Sequence, residues 1–228
     1  MKSFLQILSQ LSTNEETSDL CFPMLIRFYQ LELDYKTKAI NRHEIMESVA
    51  KHLLKFDEDR TSEIEKFYEF LDYPDFLVDF LKQCEFMIAS TTDRNDIFVG
   101  NVIFLLTYIG DRFSAIIESE TNGEISSDHN MSSKSKVSTN RIKEFFEKLL
   151  ISFLSTQLTT SMTKKVLMSF ESFYPILANP PILADYITRC YDSSNLSISL
   201  LALHSLFKLL TGKSFFHTFF IVVIKSLD

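Results

Sequence analysis

Apolar residues in this chain recur every three or four positions, and alternation every second position never persists. Ile64, Phe67, Tyr68 and Leu71 share one such stripe, the spacing of a helix that turns one face to a core. The same period predicts helices near 2–11, 22–55, 60–87 and 95–117. Pro74 is expected to kink or break the third, because proline lacks an amide donor and crowds the preceding turn. Further on, Ile142, Phe145, Phe146, Leu149, Leu150, Phe153 and Leu154 outline a strongly amphipathic helix, with Asn140 as a suitable N-cap. A second helix is expected from about Ser161 to Ala178, a third from Pro180–Pro181 to about Tyr191, a fourth from about Leu196 to Leu210 and a fifth from about Phe215. Proline is tolerated in a first helical turn. "NPP" at 179–181, with Asn179 as cap, therefore reads as a corner between antiparallel helices, and "DSSN" at 192–195 as the next corner. Helices joined by short turns predict an all-α protein of stacked helical hairpins, a HEAT- or armadillo-like α-solenoid.

Composition supports the helical reading. The 228 residues include 4 Gly and 5 Pro, too few for the turns of a β-rich chain. Phe is abundant at 22, and Trp is absent. Cys21, Cys84 and Cys190 are far apart and lack metal-ligand spacing, so a reducing compartment is expected, with neither disulfide framework nor zinc site. The N-terminal "MKSFLQILSQLSTNEE" lacks the apolar core and cleavage site of a signal peptide, which leaves the N-x-S matches at Asn130 and Asn195 as chance. The apolar runs 97–109, 198–210 and 215–224 all fall short of a membrane span of about 20 residues.

Charge divides the chain. Residues 1–133 carry 12 Lys and Arg against 24 Asp and Glu, a net of −12; residues 134–228 carry 11 against 6, a net of +5. The change falls in a Ser- and Asn-rich stretch. The expected organisation is an N-terminal helical region over 1–117, a flexible polar linker over 118–140 and a second helical region over 141–228.

Catalytic motifs are hard to find. "HEIME" at 43–47 begins like a zinc-protease helix, but Glu47 stands where the second histidine is required. His43 and His52 are expected on a solvated face, and His204 and His217 in a core or at its rim. No phosphate-cradling glycine loop and no G-x-S-x-G elbow occurs. The Asp57-Glu58-Asp59 run and the Glu63/Glu65 pair read as solvated surface. Asp185 stands out among apolar neighbours. A catalytic role there needs a cleft and a partner group, whereas a structural role needs only a backbone amide or a cation in reach, and the structural role is the expectation. Lys164–Lys165 is the densest basic feature of the second part, too little for a strong grip on a phosphate backbone. A peripheral RNA contact remains open.

Residues 161–228 resemble the beginning of the CBF domain of the CCAAT-binding-factor family, in particular its nucleolar complex protein four branch. The resemblance is carried by Asn179-Pro180, Ile182-Leu183-Ala184-Asp185-Tyr186-Ile187-Thr188, Tyr191-Asp192 and Ile198-Ser199-Leu200-Leu201-Ala202-Leu203-His204-Ser205-Leu206-Phe207, in order and at the family's spacing. It departs at His204-Ser205, where the family has Asn-Gly, and at His217-Thr218-Phe219-Phe220, which lacks the family's proline. The family's domain continues where this chain ends at Asp228, so only the first part of the domain is expected here, as a truncated or reduced version. The resemblance implies a non-enzymatic α-solenoid scaffold in the nucleus and nucleolus, without cofactors. It would act in assembly and rRNA processing of the small ribosomal subunit, on the pre-ribosomal particle, through contact with a nucleolar protein fourteen-type assembly factor. It makes Asn179, Pro180, Leu183, Asp185, Leu200, Leu201, Leu203, Leu206 and Phe207 the family-motif positions, structural first and partner contacts second. Phe215, Phe216, Phe219 and Phe220 are candidates for core or for a partner groove. Two other readings stay open: a generic helical-repeat adaptor in transport or transcription, and a small membrane protein using 97–109 and 198–210.

Overall fold

The computed structural model of the chain describes residues 20–21, 23–29, 31, 42–54, 58–67, 71, 74–91, 94–121 and 134–211. Every regular element among them is helical. Helix α1 occupies residues 20–31, apart from 22 and 30. It is followed by α2 (Arg42–Leu53), α3 (Thr61–Lys66), α4 (Pro74–Ser90), α5 (Asp96–Thr121) and α6 (Lys134–Leu154). Then come α7 (Thr160–Met168), the single turn α8 (Phe170–Phe173), 3-10 turns at Tyr174–Ile176 and Pro180–Leu183, α9 (Ala184–Tyr191) and α10 (Leu196–Thr211). The expected helices at 2–11 and from Phe215 lie outside the described residues.

Pro74 does break the third segment. It stands at the first position of α4, where the missing N–H costs nothing, and α3 has already ended. Other boundaries differ from expectation. Helix α6 starts at Lys134, so Asn140 sits inside it rather than capping it. The expected helix over 161–178 is divided at Ser169, and Pro175 turns its far end into a 3-10 turn. A proline at that point cannot supply the amide an α-helix needs. Helices reach into the expected linker from both sides, to Thr121 and from Lys134; residues 122–133 lie outside the described ones.

The helices pack in two rows. One contains α2, α4 and α6; the other contains α3, α5, the α7–α8 pair and α10, with α9 laid against α10. This is an all-α helical-repeat arrangement, and a continuous apolar core runs through it. Its densest part is aromatic: Phe67 lies 4.7 Å from Phe80 and 5.4 Å from Phe76, and Tyr29 meets Phe76 edge-on at 5.1 Å. Such pairs add about 1 kcal/mol each beyond the area they bury. The Tyr29 hydroxyl donates to Asp79 Oδ2 at 2.8 Å, tying α1 to α4. Burial, and then the hydrogen bond to Asp79, pushes that phenol far above its ordinary range.

Two contacts fix the packing, the first inside the second row and the second between the rows. Gly110 of α5 faces the backbone of α8, and a Cβ built there would stand 2.1 Å from the Ser172 carbonyl oxygen. Only glycine permits that approach. Arg94, just before α5, reaches the C-terminal ends of two other helices. Its guanidinium donates to the Ile88 carbonyl in the last turn of α4 and the Thr91 carbonyl just after it, to the Phe153 carbonyl of α6 at 3.5 Å and to Thr156 Oγ1 at 2.6 Å. A cation among C-terminal carbonyls complements both helix dipoles. Its burial lowers the Arg94 pKa from the ordinary value.

Candidate functional site

The family-motif positions separate into interior and surface. Leu183 and Leu206 are buried, and Leu201 packs against the core. Asn179 is exposed and its side chain makes no cap; instead its backbone N–H donates to Glu147 Oε2 at 2.6 Å. The Pro180 corner is thereby fastened to α6. Asp185 lies on the surface in the first turn of α9. There a carboxylate complements the positive end of the helix, and no buried acid exists at this point. On α10, Leu196, Leu200, Leu203 and Phe207 are 73, 58, 50 and 60 % exposed. Their i, i+4, i+7, i+11 spacing puts them along one side of the helix, opposite buried Ile198, Ala202, Leu206 and Leu209.

Asn195 starts α10, its Oδ1 accepting from the Ser197 and Ile198 amides at 3.1 and 3.3 Å. Farther along, Glu171 of α8 receives Lys208 Nζ at 2.9 Å and meets His204 Nε2 at 3.1 Å. The hydrogen bond from Lys208, followed by that from His204, lowers the Glu171 carboxyl below its usual range. His204 is thus a surface residue paired with a carboxylate. His43 is exposed as expected and lies 3.9 Å from Glu47. His52 is buried instead of solvated. It falls seven residues after Ile45 and three after Val49, on the face that α2 turns to the core.

A second polar centre was invisible in the sequence. Arg60 and Asn101 are both nearly fully buried. Asn101 Oδ1 accepts the Arg60 amide at 3.0 Å, and Asn101 Nδ2 donates to the Glu58 carbonyl at 2.9 Å. The Arg60 guanidinium pairs with Glu58 and with Glu63, the latter at 2.8 Å. These contacts anchor the turn before α3 onto α5. Above them opens a groove of about 550 Å³ between α3, α5 and α7. Ile97, Ile103, Phe104 and Met168 form its apolar walls, Gly100 lies along its α5 side, and Asp59, Asp96 and Lys165 stand around it.

Among the described residues, no group of three or more His, Cys, Asp and Glu side chains is placed to hold a metal ion. No described helix is long and apolar enough to cross a membrane. Cys84 and Cys190 have thiol pKa values raised by burial.

These features define a helical-repeat protein whose distinctive surfaces are a groove and an apolar helix side. The chain is similar to nucleolar complex protein 4 homologues. It is 29 % identical over 207 residues to homolog B of Xenopus laevis, covering 84 % of this chain and 38 % of the relative. The Danio rerio homologue is 29 % identical over 181 residues, or 77 % of this chain and 34 % of the relative. The Arabidopsis thaliana protein NUCLEOLAR COMPLEX ASSOCIATED 4 is 40 % identical over 81 residues, 35 % of this chain and 14 % of the relative. The chain thus spans under half the length of the curated relatives it matches. No protein-family model and no solved structure matches it.

Proposed function

We propose that the chain is a member of the nucleolar complex protein 4 family. In this reading it serves as a non-catalytic helical scaffold in ribosome biogenesis. Similarity over 77 to 84 % of the chain to proteins named for a nucleolar complex supports the reading. The finer assignment is assembly and rRNA processing of the small subunit in the nucleolus. It includes contact with a nucleolar protein fourteen-type factor and rests on the CBF-like residues 179–207. The two-row helical array is suited to such work, because stacked helices present long ridges and grooves to partner chains.

The test is expression of the tagged 228-residue chain in eukaryotic cells, followed by imaging and affinity purification. Nucleolar signal with recovery of small-subunit assembly factors is the expected result. Cytoplasmic puncta, or a purification free of ribosome-assembly factors, would overturn the reading.

A further inference from the structure

The groove between α3, α5 and α7 has the features of a docking site. Its walls are apolar, yet two of its large side chains stand out in solvent: Met168 is 70 % and Ile97 40 % exposed. Exposed apolar residues around a concavity are costly unless something covers them. Methionine adapts its shape to whatever packs on it. Gly100 gives the groove its room, for a Cβ built there meets nothing within 4 Å. The groove is also anchored from below, since the buried Arg60–Asn101 contacts hold its α3 side on α5. It is therefore preformed.

Charge indicates what fits. Asp59 and Asp96 are exposed beside the groove on its α3 and α5 sides, within a part of the chain whose net charge is −12 over residues 1–133. Among the described residues, Lys165 is the sole cation lining it, and it belongs to α7 on the far side. A partner approaching across α5 meets negative potential first.

We propose that this groove binds a helix of a partner protein that sets a bulky aliphatic or aromatic side chain beside Gly100 and Lys or Arg against Asp59 and Asp96. An amphipathic helix is the occupant that a trough between helices accepts, its apolar anchors recurring every three or four residues. The inference stands on the groove alone and holds whether or not the nucleolar reading does.

The test is a display selection of helix-forming peptides, randomised at anchor and flanking positions, against the full 228-residue chain. Enriched peptides are expected to carry an apolar anchor flanked by Lys or Arg. Synthetic copies should bind the chain and lose at least about tenfold in affinity to Gly100→Leu, since buried anchors dominate such interfaces. They should lose about threefold to tenfold to Asp96→Asn, with a flatter salt dependence. The first side-chain atom added at Gly100 meets open space, and a circular-dichroism melt checks that Gly100→Leu folds. Absence of enrichment overturns the proposal, as do acid-flanked winners or peptides that bind Gly100→Leu as tightly as the parent. Enrichment of one peptide that competes with none of the groove changes would place binding elsewhere and count equally against it.

Discussion

Replacing Gly110 by alanine tests the joint between α5 and α8. Elsewhere in a helix interior this change is favourable by about 1 kcal/mol, because glycine pays more backbone entropy than alanine. At Gly110 the new methyl would meet the Ser172 carbonyl oxygen at 2.1 Å and its carbonyl carbon at 2.9 Å, where ordinary contact begins at 3.4 Å. The obstacle is backbone, so no side-chain rotation relieves it. Helix α8 must withdraw, loosening buried Phe170 and Phe173. Overpacking of this kind costs about 1–3 kcal/mol, and the displaced aromatic contacts add to it. A net loss of about 1–2 kcal/mol is expected, lowering Tm by about 3–6 °C for a chain of this size. Gly100 is the internal control, on the same helix with open space where its Cβ would stand. Gly100→Ala should raise Tm by about 2–4 °C. Thermal melts followed at 222 nm, with urea titrations alongside, read both changes. A Gly110→Ala chain as stable as the parent would refute the close approach.

Other expectations can be checked in the same melts. Arg94→Met keeps the apolar stem but loses the donors to the helix ends; a loss of about 2 kcal/mol is expected, and a silent substitution would count against the bridging role. Asn101→Ala removes the acceptor of the Arg60 amide and the donor to the Glu58 carbonyl under the groove and should cost about 3 kcal/mol. Leu183→Ala should destabilise by about 2–4 kcal/mol, whereas Leu203→Ala should stay within about 0.5 kcal/mol; equal effects would contradict the division of the motif between interior and surface. The lowered Glu171 carboxyl favours the folded state above the ordinary carboxylate pKa, and that benefit disappears as pH falls through its lower folded value. Acid titration of stability should therefore lose a component in Glu171→Gln; an unchanged profile would show that the pairing with Lys208 and His204 does not form in solution.

Helical periodicity announced the all-α architecture because each helix buries one stripe, and that demand is written locally. Pro74 marked a restart for the same local reason. The division near Ser169 was harder to read: Pro175 was a sign in the sequence, but the close approach of Gly110 to Ser172 joins positions 62 residues apart. The Asn101 hydrogen bonds span 41 and 43 residues, so an asparagine inside an apolar run revealed nothing of its partners. In α10, leucines surround much of the helix. The spacing identified a helix, and only the placement of its neighbours decided that Ile198 and Ala202 face inward while Leu200 and Leu203 face out.

All three cysteines are buried and unpaired, and Cys84 lies in α4, the helix that packs most broadly against α6. Its sulfur is fully enclosed and can be alkylated only when the packing around α4 opens. The pace of its chemical labelling is thus a native clock for the breathing of the array, readable by mass spectrometry without adding any probe to the chain.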